Sequence, residues 1–277
     1  MSKIEKALGK ARQDRGNLQL VPVPGAPAAS AGTALVTQRA AHPETIANMM
    51  TRESKMLAID DLSAFGIIHR ERVEDPVVQV FRGLRTKVVQ QSQGQSSVVL
   101  VTAVNKESGS SFIARNLGAA FAFDAGKTAL LIDGNLKNPS VHQWIPNASG
   151  PGLMDYLDNP DLDLAGIIRP AGIPRYRAIT AGAPHKIPGE YFSSLKMRRL
   201  MDTIRARYSE RYIIIDGPPM SDMADIRVLS EFSDYVLIVA RYGRATSTQI
   251  AACLNAVSDR KLLGIVFNDE PSLPRLR

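Results

Sequence analysis

The sequence predicts an α/β fold: a mostly parallel sheet with helices on both faces, preceded by a flexible N-terminal segment. Three observations lead there. Six short apolar runs, "SSVVLVTAV", "TALLIDG", "RAITAG", "RYIIIDG", "DYVLIVA" and "LLGIVFN", have the near-continuous hydrophobicity of strands buried on both faces. Stretches of helical period lie between most of them, and strands alternating with helices imply parallel pairing with crossover connections. Finally, the composition changes near residue 70, from Pro, Ala, Gly and Ser without period to patterned sequence.

In chain order, residues 1–16 place Ser2 and Glu5 at capping-box spacing and Ile4, Leu8 and Ala11 on one side of a short amphipathic helix. Such a helix is marginal alone, which makes Ile4 and Leu8 candidates for docking on a partner. Residues 17–70 read as a flexible linker with a candidate short helix in "KMLAIDDLSAFGII". Residues 71–277 form the main domain. It opens with the helical "VVQVFRGLRTKVVQQ", and further helices are expected over 111–124, 193–208 and 246–258.

Composition narrows the classes. No apolar run approaches the ~20 residues of a spanning helix, and the first residues lack a signal-peptide core. Cys253 is the single cysteine, which excludes an intrachain disulfide and fits a reducing compartment. The expectation is a cytoplasmic protein. A net charge of +7 is concentrated over residues 169–211, a surface suited to anionic lipid or an acidic protein. It has no interleaved aromatics, helix-turn-helix pattern or zinc motif, so nucleic acid is not expected as a partner.

Ligands of such sheets bind beyond the carboxyl ends of the strands. Three loops fall there. "VTAVNKESGSSFIARNLG" has the layout of a phosphate loop: a strand, a small polar turn with Gly109, Ser110 and Ser111, then a helix. "LLIDGNLKNPSVH" and "YIIIDGPP" set Asp133 and Asp216 just after strands. An Asp in that position is often only a turn residue. The three in this order, however, match the needs of a magnesium nucleotide, with Ser111 on the metal and Asp216 holding it through water.

From about residue 75 to 269 the chain resembles the tyrosine autokinases of bacterial exopolysaccharide and capsule synthesis, a branch of the deviant P-loop NTPase-like proteins. The stretches that carry the resemblance are "FRGLRTKV", "LLIDGNLKNPSVH", "GPGLMDYL", "ITAGAPHKIPGEYFSSLKMRRLM", "YIIIDGPPMSDMADIRVLSEFSDYVLIV" and "LLGIVFND". It implies ATP or ADP with Mg as cofactor, magnesium-site groups at Ser111, Asp133 and Asp216, phosphate contacts at Gly109 and Ser110, and adenine contacts near Asn268. An oligomer-closing helix is implied at Gln79, Arg82 and Arg85. The implied partners are a Wzz-type inner-membrane chain-length determinant, which would hold the chain at the inner membrane, and further copies of itself or of an active kinase.

Departures from the family pattern are equally informative. Family members carry Pro-Gly-Glu-Gly-Lys-Ser where this chain has Lys106, Glu107, Ser108, Gly109, Ser110 and Ser111. Ser110 thus stands at the position of the lysine that neutralises β- and γ-phosphate, and Glu107 at a glycine. Asn135 replaces a second acid after Asp133, Gln79 replaces a glutamate, and no tyrosine follows Tyr242. These changes point to a regulatory or scaffold subunit in which Asp133 and Asp216 are the remaining candidates for catalytic groups. The alternatives are an active ATP-dependent tyrosine autokinase using a substitute cation, or a positioning ATPase of the related ParA and MinD branch.

Overall fold

The computed structural model describes residues 18–21, 56–72, 74–183, 188–207 and 210–270. The strands are β1 Leu18–Val21, β2 Val98–Ala103, β3 Thr128–Asp133, β4 Arg169–Pro170, β5 Tyr176–Ile179, β6 Arg211–Asp216, β7 Tyr235–Arg241 and β8 Leu262–Asn268. The helices are α1 Ile59–Ala64, α2 Pro76–Gln91, α3 Ser110–Ala122, α4 Leu153–Asp158, α5 Pro188–Phe192, α6 Leu195–Arg207, α7 Met223–Glu231 and α8 Ser247–Ala256. The strands form one sheet in the order β1-β8-β7-β2-β6-β3-β5-β4. Its six inner strands are parallel, and β1 and β4 close the two edges antiparallel. The expected fold class is the one observed.

Strand alternation divides the core in two. Val98, Leu100, Leu130, Ile132, Ile213 and Ile215 face one side, where they meet α4, α6, α7 and α8. Val99, Val101, Ala129, Leu131, Tyr212 and Ile214 face the other, against α2 and α3. The helices follow from their patterns. In α2, Val78, Phe81, Leu84 and Val88 are buried at three- and four-residue spacing, and the Asp75 carboxylate accepts from Val77 N ahead of Pro76. In α8, Thr246 and Gln249 form a capping box.

The reading of residues 17–70 as linker needs correction at two places. Residues 18–21 pair with β8, Leu18 opposite Asn268 and Val21 opposite Ile265. Residues 56–72 are part of the folded body: α1 forms where a short helix was expected, and Leu62, Ile67 and Ile68 are buried. The tie is Asn116 of α3, which accepts from Ile68 N at 2.8 Å and donates to Gly66 O at 2.9 Å. The body therefore begins upstream of residue 71. The helix expected over 1–16, with Ile4 and Leu8, lies outside the described residues. Among the described residues no helix is long and apolar enough to cross a membrane.

Candidate nucleotide site

Strand β2 ends at Ala103, and the chain turns through residues 104–109 into α3. The turn needs two left-handed residues, Glu107 at φ +59° and Gly109 at φ +90°. At Gly109 a glycine is also demanded by space, because a Cβ would lie 2.1 Å from Asn268 Nδ2. At Glu107 the backbone adopts a glycine-like conformation with a bulkier residue, so the glutamate is carried at a cost.

Side chains from the ends of β7 and β8 hold this loop. Asn268 Nδ2 donates to Ser108 O at 3.0 Å, and Arg241 Nη1 donates to Glu107 O at 3.4 Å. Arg241 is itself fixed on Asp269, with Nε 2.8 Å and Nη2 2.6 Å from Oδ2. Arg244 Nη1 stands 4.0 Å from Glu107 Oε2. Two successive loop carbonyls are thus tied down, and the loop leads into the first turn of α3, where a helix presents N–H groups and positive potential to an anion.

Opposite the loop, Asp133 and Asp216 are direct partners in the β3–β6 register, and both are fully buried. Asp133 accepts three backbone hydrogen bonds, from Asn135 N at 3.3 Å, Ser140 N at 3.0 Å and Val141 N at 2.9 Å. Burial nevertheless pushes it up to about 6. Burial, and then the neighbouring Asp133, push Asp216 up to about 8. The Ser111 hydroxyl, Arg115 and Ser140 pull it back down, yet neither carboxylate oxygen receives a well-formed hydrogen bond.

A buried carboxylate pair with one member unsatisfied is a place where a divalent cation lowers the energy. Magnesium on a nucleotide takes one or two carboxylates and a hydroxyl, with phosphate and water filling the rest. Ser111, Asp133 and Asp216 fit that donor set. No group of three or more His, Cys, Asp or Glu side chains gathers among the described residues, so a closed all-protein metal cage is not offered there.

The expected site residues Gly109, Ser110, Ser111, Asp133, Asp216 and Asn268 all stand at the carboxyl edge of the sheet, on the loop, at the start of α3 and at the strand ends. Gln79, Arg82 and Arg85 lie elsewhere, on α2. Gln79 and Arg82 are exposed, whereas Arg85 is half-buried and donates Nη1 to Ala120 O of α3 at 3.2 Å. Sequence reasoning missed three features. Arg241 and its Asp269 partner had no motif to reveal them. Arg115 follows Ser111 by one helical turn, a spacing that could have drawn notice; its Nε is buried without a hydrogen bond, and burial lowers its pKa against the opposing influence of Tyr176 and Asp216. Lys137, in the loop after Asp133, pairs with Asp225 at 3.1 Å and Asp222 at 3.4 Å and ties that loop to α7.

No family model matches the sequence. EpsB of Ralstonia nicotianae, named as a tyrosine-protein kinase, is 31% identical over 207 residues, which cover 73% of this chain and 27% of that protein. The chain therefore spans about a quarter of the length of this relative, whereas CapB of Staphylococcus aureus, 24% identical over 204 residues, is covered to 88% of its length. Among solved structures, the chimerical protein CapA2B2 superposes with a TM-score of 0.67 at 24% identity, covering 83% of this chain and 100% of that one. The kinase domain of the Escherichia coli tyrosine kinase ETK gives 0.66 at 24% identity, covering 81% of this chain and 84% of that one.

Proposed function

Because the chain belongs to the family of bacterial tyrosine-protein kinases, we propose that it is a degenerate member that works as a regulatory or scaffold subunit in exopolysaccharide synthesis. It binds magnesium nucleotide weakly, does not transfer phosphate at a useful rate, and acts at the cytoplasmic end of an inner-membrane chain-length determinant.

One observation carries this reading: Ser110 stands at the mouth of the site where the family has its loop lysine. Serine has neither the charge nor the reach to replace it. A charge-assisted hydrogen bond is worth about 1.5–3 kcal/mol in the ground state and more where charge moves in the transition state, so its loss weakens transfer more than binding. Of the cations around the loop, Arg241 is held by Asp269 and Arg244 faces Glu107, so neither is placed to take over that role. What remains, Ser111 with the Asp133–Asp216 pair, suffices to hold a metal with a nucleotide.

The test is polymer yield in one host at matched protein level. Ser111→Ala and Asp216→Asn are expected to leave yield nearly unchanged, while charge reversal at the exposed Arg82 lowers it together with recovery of the membrane partner. The opposite pattern would make nucleotide chemistry the working function and favour the active-kinase reading.

A further inference from the structure

Resting on the nucleotide site described above, we propose that its loop favours a nucleoside diphosphate over a triphosphate, with Glu107 as the residue that discriminates. The backbone keeps Glu107 in place. Arg241 Nη1 donates to Glu107 O at 3.4 Å, Asn268 Nδ2 donates to Ser108 O at 3.0 Å, and Gly109 packs against Asn268 with no room for a Cβ. Between these ties the chain is left-handed at Glu107, with φ +59°, so the loop cannot simply swing the residue away. Its side chain is 82% exposed and stands three residues ahead of α3, within the turn that leads into that helix.

The charges around this turn are largely engaged with one another. Arg241 is bound to Asp269, Lys137 bridges Asp222 and Asp225, and Arg244 faces Glu107 at 4.0 Å. Lys106, exposed beside Glu107, and Arg115, one helical turn past Ser111, then stand against Asp133, Asp216 and Glu270. Among the described residues of these loops the acids outnumber the cations, so the edge offers no surplus of positive charge. A divalent cation on Asp133 and Asp216 would offset that pair alone.

What attracts an anion here is the start of α3. Gly109 precedes the helix without a side-chain cap, and the first-turn N–H groups together with the helix dipole suit one phosphate group. Ser110 adds no cation to them. The third phosphate of a triphosphate therefore brings further negative charge towards a turn that carries Glu107 and no lysine. A unit charge near a solvated loop changes affinity severalfold, and salt screens it. Neutralising Glu107 removes the repulsion and also leaves Arg244 without its competitor for the phosphate.

Titration calorimetry on the full chain, with magnesium and either ADP or ATP, tests this. Wild type is expected to bind ADP at least about threefold more tightly than ATP. Glu107→Gln should tighten ATP at least about threefold while changing ADP by less than about twofold, so that the preference disappears. Glu107→Asp keeps the charge and should keep the preference. At about 0.5 M salt the wild-type preference should shrink. Unchanged circular dichroism in both variants will show that folding is intact. ATP bound by the wild type as tightly as ADP, or a preference that Glu107→Gln leaves unaltered, would overturn the proposal while leaving the nucleotide site standing. Binding of neither nucleotide would overturn both.

Discussion

Asp216 is the residue on which the site's electrostatics turn. Its carboxylate is buried and raised to about 8, against about 3.9 for an exposed aspartate. The folded state therefore binds more protons than the unfolded state between those values, and stability falls as pH rises through that window. Urea unfolding at pH 5 and pH 8 is expected to show the wild type less stable at pH 8, with the loss reduced in Asp216→Asn. Equal loss in both would place the proton elsewhere. Magnesium competes for the same charge, so its affinity should rise with pH over this range. Glu107 gives a second test at this scale. It sits at φ +59°, and its side chain faces Arg244 at 4.0 Å in an exposed pair of small value. Glu107→Gly relieves left-handed strain while loosening the unfolded chain, and chemical unfolding should find it neutral or stabilising, by up to about 1 kcal/mol. Ser110→Lys alone should restore little nucleotide affinity while Glu107 remains, and the double variant with Glu107→Gly should restore more; titration calorimetry measures both.

At the scale of elements, α3 is the member that joins site to core. Its first turn carries Ser110 and Ser111, and its middle packs so closely on β5 that a Cβ at Gly118 would lie 2.2 Å from Tyr176 Oη. Tyr176 in turn donates to Arg115 O at 2.9 Å. Gly118→Ala would gain up to about 1 kcal/mol from helix propensity on an exposed surface. Here overpacking dominates, and a net loss of about 1–3 kcal/mol in unfolding free energy is expected. A stabilised Gly118→Ala would show that the helix can move away from the sheet. The same scale shows what was legible beforehand. β2, β3, β6, β7 and β8 could be read because each holds a run of apolar residues buried on both faces, and β5 was legible although Arg177 interrupts it. α2, α3, α6 and α8 were equally plain, being long enough to show a period. α4, at Leu153–Asp158, is too short for one, and two-residue β4 is defined by its pairing with β5 alone. β1 stayed hidden in a Pro-rich stretch because antiparallel edge pairing needs only backbone.

For the whole molecule, the site was legible as far as local motifs reach. Asp133 and Asp216 follow from strand-end position and Ser111 from the loop that opens α3, and the β3–β6 register sets the two acids side by side. Contacts between distant parts of the chain were not legible: Arg241 on Glu107 O, and Asn116 binding residues 66 and 68, exist only once the fold is assembled. The proposed function is that of a kinase-like framework around a loop in which Ser110 takes the lysine's place. It is tested most directly by incubating the purified full chain with magnesium and γ-labelled ATP, beside Asp216→Ala. The prediction is that label on the wild-type protein does not exceed that on the variant. Phosphotyrosine on the wild type that disappears in Asp216→Ala would contradict the account and establish a working kinase.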